Sequence, residues 1–596
     1  MPRYTAPVKD TLFVLDAVAG LYHHGNVPGF ASVSPDLVEA VLNEGGKFCS
    51  EVLAPLNLPG DRQGCTRHPD GSVTAPDGFR DAYQQFCDGG WGGLIADEHH
   101  GGQGLPYTIG AVLQEYIAAS NMAFGMYPGL SEGAQAAIDV VGTPEQKAKY
   151  LPPMVHGRWT GTMNLTEPQC GTDLGLIRTR AEPQADGRWS ITGTKIFISA
   201  GEHDLSENII HLVLAKTPGA PDSVKGISLF LVPKFMVGDD GSLGARNGVS
   251  CGSIEHKMGI HANATCVMNY DGATGYLLGE EMKGLAAMFI MMNAARLGVG
   301  IQGLAQADAA YQNAVDYAKN RQQGRSLTGA KNPDGKADPI IVHPDVRRML
   351  MDARSYTEGM RALVLWSAIR VDLARKSPEP EARELADDLI SLLTPVIKGY
   401  GTDRGYEVAT NCQQVLGGHG YIAEWGMDQF VRDARIAMIY EGTNGIQALD
   451  LVGRKLGAKG GRGTQAWLGQ VGGDIAAATD ERLAFITAPL SAALGDVQAG
   501  ILWLLQNGMT NPDNAGAGAT AFMRMMGHVA LGHMWLKMAG AALAALDAGA
   551  ADPDFMQAKL TTARFFAARV LPETSGLRAQ LEAGAETVMA MPAEMF

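Results

Sequence analysis

The chain has 596 residues, 46% hydrophobic and 19% charged, with a net charge of −15. That length calls for roughly three or four domains. The sparse charge excludes a disordered chain, and the acidic balance excludes a protein whose main ligand is a nucleic-acid backbone. The seven cysteines (49, 65, 87, 170, 251, 266 and 412) are scattered without a CxxC pair, which suits reduced thiols in a cytosol.

Residues 1–33 read as an N-terminal extension with no basic, apolar leader, and no unbroken apolar run of about 18 residues follows. The expectation is a cytoplasmic protein without a membrane role. Over 34–160, apolar residues at three- and four-residue spacing predict a helical domain, best seen in Asp36–Leu42 and Tyr107–Ala119. Thr143-Pro144-Glu145 opens a further helix.

The period falls to two over 161–281. Trp189–Thr192 leads through a Gly193 turn into Lys195–Ser199, while Ile209–Ala215, Gly226–Val232 and Thr265–Tyr270 are further strands. Asp186-Gly187 makes a hairpin turn. Strands without interleaved helices predict an antiparallel β-barrel or sandwich. Over 282–457 long helical segments return, at 282–321, 344–374, 380–412 and 426–439, and predict a bundle. Gly457–Thr464 reads as a linker, and 465–596 as an additional C-terminal helical domain. The fold class is therefore mainly α with a central β domain.

Two motifs are decoys. Gly298-Val299-Gly300-Ile301-Gln302-Gly303 matches GxGxxG but lies inside a helical segment, with no strand before it to aim a helix at a pyrophosphate. Gly129-Leu130-Ser131-Glu132-Gly133 matches the nucleophile elbow, again without its strand. No metal-binding motif is present.

The more informative segments are three. Glu441 follows an apolar run, Ile436–Tyr440, and precedes Gly442. A carboxyl projected from such a turn into apolar surroundings has its pKa raised toward neutrality, as a general base requires. Met163–Asp173 clusters Thr, Glu, Pro, Gly and Asp where helix gives way to strand, a loop able to hold a polar ring edge. Gly193–Ser199 sets an aromatic, an aliphatic and a hydroxyl on one strand.

Read in order over roughly 35–455, these segments resemble the acyl-CoA dehydrogenase family. So do Arg321-Gln322-Gln323-Gly324, Gln414–Tyr421 and Arg432–Ile446. The resemblance implies FAD as cofactor and Glu441 as the base that removes the α-proton of an acyl-CoA thioester, while the β-hydrogen leaves as hydride. Its thioester oxygen would be polarised by the base's own backbone N–H and a ribityl hydroxyl. Leu165, Thr166, Thr172, Phe197, Ser199 and Thr443 match flavin-holding positions. Arg321, Gln323, Gln414, Gly417 and Gly418 match positions that reach the FAD of a neighbouring subunit, which implies a homodimer. Arg296, Asn293 and Gly442 match the acyl-CoA site. The family's aromatic after Gln323 is missing, since Gly324 follows directly.

The extra length is similar to a large bacterial branch of the family, which implies a short acyl chain, best 3-(methylthio)propionyl-CoA from dimethylsulfoniopropionate breakdown. It also implies an electron-transfer flavoprotein as acceptor. Alternatives are ordinary short- or medium-chain acyl-CoA, an acyl-CoA oxidase, and, remotely, a DNA-binding alkylation-response relative. The cations of 465–596 are dispersed among acids, against that last reading.

Overall fold

The computed structural model describes residues 2–596, which divide into two compact units. One unit comprises Lys47–Leu105 and Ser120–Gly298; the other comprises Met1–Gly46, Pro106–Ala119 and Val299–Phe596.

The first unit is organised by seven strands: β1 Trp159–Asn164, β2 Arg180–Pro183, β3 Trp189–Ser199, β4 Asn208–Lys216, β5 Ile227–Pro233, β6 Val249–Ile254 and β7 Thr265–Leu277. Pairing runs β7–β3–β2–β4–β5 and returns from β5 to β7, which closes a barrel. The near-continuous apolar runs of β4 and β5 are buried along almost their whole length, as expected for strands covered on both faces. Ile210, Leu212 and Leu214 pack to one side with Met154, Trp159 and Met288. Val213 and Ala215 pack to the other with Ile191, Ile198 and Met268.

Two strand-level expectations change. β1 and β2 both pair parallel to β4, so the barrel is antiparallel only in part. Gly193 is not a turn: β3 runs through it. A Cβ there would lie 2.4 Å from Thr179 Oγ1, so the glycine admits a crossing chain. The Asp186-Gly187 turn does join β2 to β3, with Gly187 at φ 82°.

In the second unit the long helices fall where the period places them: Gly284–Asn320 (which begins in the first unit), Pro344–Lys376, Pro380–Val415 and Met427–Ile436. The GxGxxG run lies within the first of these. A Cβ on Gly300 would sit 2.6 Å from Ile397 Cγ2, and one on Gly303 2.9 Å from Thr402 Cα. Those glycines let two helices approach closely. The GxSxG run is likewise helical, within Met122–Val141.

Gly457–Gly461 is a tight turn with positive φ at Lys459, Gly460 and Gly461. It is pinned to the helix Pro380–Val415 by Lys459–Asp388 (2.7 Å), and the next residue pairs there too, Arg462–Glu384 (2.8 Å). The segment read as a linker thus begins with a corner fastened to that helix. Helices Arg462–Ala477, Ala484–Asn507, Pro512–Asp547, Pro553–Arg569 and Glu573–Glu582 follow. All seven cysteines are free. Although none is an unbroken apolar run, three helical stretches (Gly284–Asn320, Glu481–Asn507 and Pro512–Asp547) are long and apolar enough to cross a membrane by length and composition.

Candidate active site

In the first unit, the loop after β1 and the end of β3 form one surface. The Ile196 N–H donates to Thr166 O at 2.9 Å, which lays the loop along the strand. Beneath it Lys195, fully buried, donates to Leu165 O (3.0 Å) and to Glu167 Oε1 (2.8 Å). Glu167 also accepts from Thr179 Oγ1 (2.6 Å) and from the N–H groups of Arg178 and Thr179. Burial alone would raise this carboxyl; the Lys195 ammonium and these donors outweigh it and hold it at about 2.

Glu167 is thus a carboxylate whose folded pKa lies below its ordinary 4.5. Its stabilisation is fully present above about pH 4.5 and fades as pH falls toward 2, about 3 kcal/mol for this carboxyl alone, and burial of the Lys195 ammonium, which lowers its pKa, offsets part of it. Glu167→Gln should therefore be less stable than wild type to urea at neutral pH, and the gap should close on acidification. A gap independent of pH would show that the pair contributes by packing alone.

Phe197 is displayed by a bulge. Ile198 pairs with Cys266 and Lys195 with Met268, so two residues of β3 face one of β7. Phe197 takes φ 59° and is 59% exposed. Such a bulge redirects a side chain, here turning an aromatic out of the core. Ser199 and Thr166 are half-buried, Thr172 is exposed and Leu165 is buried. Also in this unit, Asn293 is exposed and Arg296 half-buried. The Arg296 Nε is buried without a hydrogen-bond partner among the described residues.

In the second unit, Glu441 lies between two helices. Met427–Ile436 ends with the Tyr440 N–H donating to Ile436 O (3.1 Å). The next helix, Asn444–Asp450, starts at Thr443, whose hydroxyl accepts from the Ile446 N–H (3.4 Å). Glu441 and Gly442 between them both have positive φ, 58° and 83°. For a residue with a Cβ this costs about 1–2 kcal/mol and persists only where its surroundings enforce it. Gln447 Nε2 enforces it by donating to Glu441 O (3.0 Å). Lys398 Nζ does so through Gly442 O (2.7 Å). Beside the carboxylate, Tyr440 donates its O–H to Gln302 Oε1; burial and the Glu441 charge push that phenol well above its ordinary value.

The remaining predicted residues gather at the end of the helix Gly284–Asn320. Tyr317 O–H bonds His419 Nδ1 (2.9 Å), and His419 stacks on Trp425 with centroids 4.6 Å apart. Arg321 and Gln323 leave that helix exposed, as are Gln414 at the end of the helix Pro380–Val415 and Gly417 and Gly418 in the turn that Tyr317 braces. Where the family aromatic is missing, His343 Nε2 bonds Gln323 O at 2.8 Å, and its ring lies 3.6 Å from a Cβ position on Gly324.

Sequence reasoning missed Lys195, Lys398, Asn444 and Gln447. The signal for each lysine was present: an ammonium in an inward strand register, and one amid apolar and small residues of a buried helix face.

Domain by domain the chain matches known families in order. These are the acyl-CoA dehydrogenase N-terminal domain over 40–158, its middle domain over 162–273 and its C-terminal domain over 282–456. The acetyl-CoA dehydrogenase C-terminal-like family follows over 467–592. The chain is 46% identical over 579 residues to 3-methylmercaptopropionyl-CoA dehydrogenase of Ruegeria pomeroyi, covering 96% of this chain and 97% of that one. It belongs to the acyl-CoA dehydrogenase family. It is thus an oxidoreductase acting on CH–CH bonds of acyl-CoA.

This acyl-CoA dehydrogenase is also 36% identical, over the full length of both chains, to the broad-specificity linear acyl-CoA dehydrogenase FadE5 of Mycobacterium tuberculosis. The same fold extends over 98% of this chain and 95% of Caenorhabditis elegans ACDH-11, with a TM-score of 0.76 at 18% identity.

Proposed function

We propose that this acyl-CoA dehydrogenase oxidises 3-(methylthio)propionyl-CoA to 3-(methylthio)acryloyl-CoA, with Glu441 as the base. The observation that carries the substrate is the end-to-end similarity to the Ruegeria pomeroyi enzyme. Met288 and Met291 are buried in the first unit, and Met291 packs against Gly133 where a Cβ would lie 2.8 Å from its Cγ. Straight-chain acyl-CoA is the second reading, favoured by the similarity to FadE5 and by 34% identity to a butyryl-CoA dehydrogenase of Syntrophomonas wolfei.

The residues present fit FAD, the family's cofactor. Phe197 offers a flat apolar face, and the Thr166, Thr172 and Ser199 hydroxyls stand on the same loop and strand end. When bound, FAD supplies the two-electron acceptor for the substrate's β-hydrogen. The chain's own part is to bind the thioester, exclude water and take the α-proton onto the Glu441 carboxylate, leaving a Cα=Cβ double bond. Arg321, Gln323, Gln414, Gly417 and Gly418, exposed with Tyr421, would meet the FAD of a second copy in a homodimer. An electron-transfer flavoprotein is the proposed acceptor.

The test is kcat/KM over a panel of acyl-CoAs with an artificial electron acceptor. 3-(Methylthio)propionyl-CoA should lead. A value about tenfold below that of butyryl-CoA, the energy of one or two methylene contacts, would hand the assignment to the straight-chain reading.

A further inference from the structure

We propose that Lys398 is a positioning residue for Glu441: its buried ammonium clamps the 441–444 turn and thereby sets the direction of the carboxylate. This rests on the reading of Glu441 as the base.

Lys398 lies midway along the helix Pro380–Val415 and is fully buried. Its Nζ donates to Gly442 O at 2.7 Å and to Asn444 Oδ1 at 2.8 Å. Asn444 passes the grip back to the same helix. Its Nδ2 donates to Gly399 O (3.0 Å), Thr402 Oγ1 (2.9 Å) and Asp403 Oδ1 (2.6 Å). One face of one helix therefore holds the turn on both sides of Thr443.

A buried ammonium needs acceptors in fixed places, because no water can replace one that moves away. The Gly442 carbonyl can meet Nζ only while Glu441 and Gly442 keep their positive φ. Release of that carbonyl would let Glu441 relax toward ordinary φ, which swings its Cβ and carboxylate away. Gln447 Nε2, on Glu441 O and Gly442 O, supports the same geometry from the other side. The charged and titratable groups near the clamp include Glu441, Tyr440 with Asp433 beside it, and Asp403 with Glu407 and Arg524 beside it. Burial raises the Asp403 carboxyl, while the Asn444 hydrogen bond and Lys398 oppose the rise.

The test compares Lys398→Met, Lys398→Arg, Asn444→Ala and Glu441→Gln in the flavin-loaded protein. Rapid-mixing flavin reduction by butyryl-CoA is followed across pH, together with the Kd of a non-oxidisable acyl-CoA thioether and amide exchange of 441–445. Lys398→Met should slow reduction about 10²-fold, the usual cost of misplacing a reacting group by about an ångström. The thioether Kd should stay within about threefold, and exchange of 441–445 should accelerate. Lys398→Arg, which keeps donors for both acceptors, should recover at least about tenfold of that loss.

Wild-type reduction and exchange in Lys398→Met would overturn the proposal. If Lys398→Met does not retain flavin, Asn444→Ala decides: about tenfold slower reduction supports the clamp, and an unchanged rate overturns it. Should Glu441→Gln reduce flavin at the wild-type rate, the base itself is misassigned. Should only Lys398→Met and Asn444→Ala keep full speed, the base stands and the clamp falls.

Discussion

Glu441→Gln should lower turnover of acyl-CoA by about 10³-fold or more, the usual worth of a positioned general base on an unactivated carbon acid, while the protein still binds flavin and acyl-CoA. The amide matches the carboxylate in shape and cannot accept the α-proton. Thr443 and Gly442 are untouched, and the Gln447 and Lys398 bonds to the turn go to backbone carbonyls, which the substitution leaves in place. The turn should therefore keep its form, and the loss should fall on kcat far more than on substrate binding. Stopped-flow bleaching of the flavin by substrate, set beside a titration of acyl-CoA binding, separates the two. Bleaching at the wild-type rate would place the base on another residue.

Much of this was legible because the helices are long and their apolar period is rarely interrupted. The segment read as 344–374 is the helix Pro344–Lys376. The segment read as 426–439 stops earlier, at Ile436, because Glu441 and Gly442 take positive φ and the chain must leave the helix before them. Local signals also sufficed to dismiss GxGxxG and GxSxG, since each lacks the strand its function needs. Non-local geometry was not legible. Gly193 reads as a turn because a glycine in a strand is usually punctuation; here its missing side chain makes room for Thr179. Parallel pairing of β1 with β4 joins residues about 50 apart and leaves no mark in either strand. The bulge at Phe197 shows only as three consecutive apolar residues, Ile196–Ile198, in an otherwise alternating strand. The burial of Lys195 and Lys398 was signalled by the inward register of one and the apolar and small neighbours of the other, but the acceptors that hold each ammonium lie far off in sequence or in another element and left no mark beside it.

Arg361→Met should cost about 3–5 kcal/mol of stability, the typical loss on removing one partner from a buried ion pair. Arg361 is 1% exposed and lies on the helix Pro344–Lys376. Its guanidinium meets Glu115 (2.7 Å), Asp308 (3.3 Å) and Asp10. Asp10 also holds Lys559, which in turn meets Glu358 at 2.8 Å. Asp10 comes from the N-terminal extension and Lys559 from the C-terminal addition, the two parts that read as appendages to a compact family member. In the structure Met1–Gly46 and Val299–Phe596 share one compact unit, and this network is their electrostatic joint.

Two of the three carboxylates around Arg361 are already strained, whereas at Asp10 the Lys559 and Arg361 charges outweigh burial and lower the carboxyl. Burial raises Glu115 to about 7 against the opposing pull of Arg361, and it raises Asp308 as well. Without the guanidinium they would be stranded as buried anions and would take up protons instead. Their folded pKa values would then rise further above the unfolded ones, so the variant's deficit should be full above those values and shrink as pH falls through them. Urea unfolding of wild type and Arg361→Met at about pH 8 and about pH 5.5 measures both the loss and its sign with pH. A deficit below about 1 kcal/mol at the higher pH, the range of an exposed pair, would mean that the joint is held by apolar packing and that the charges merely accompany it.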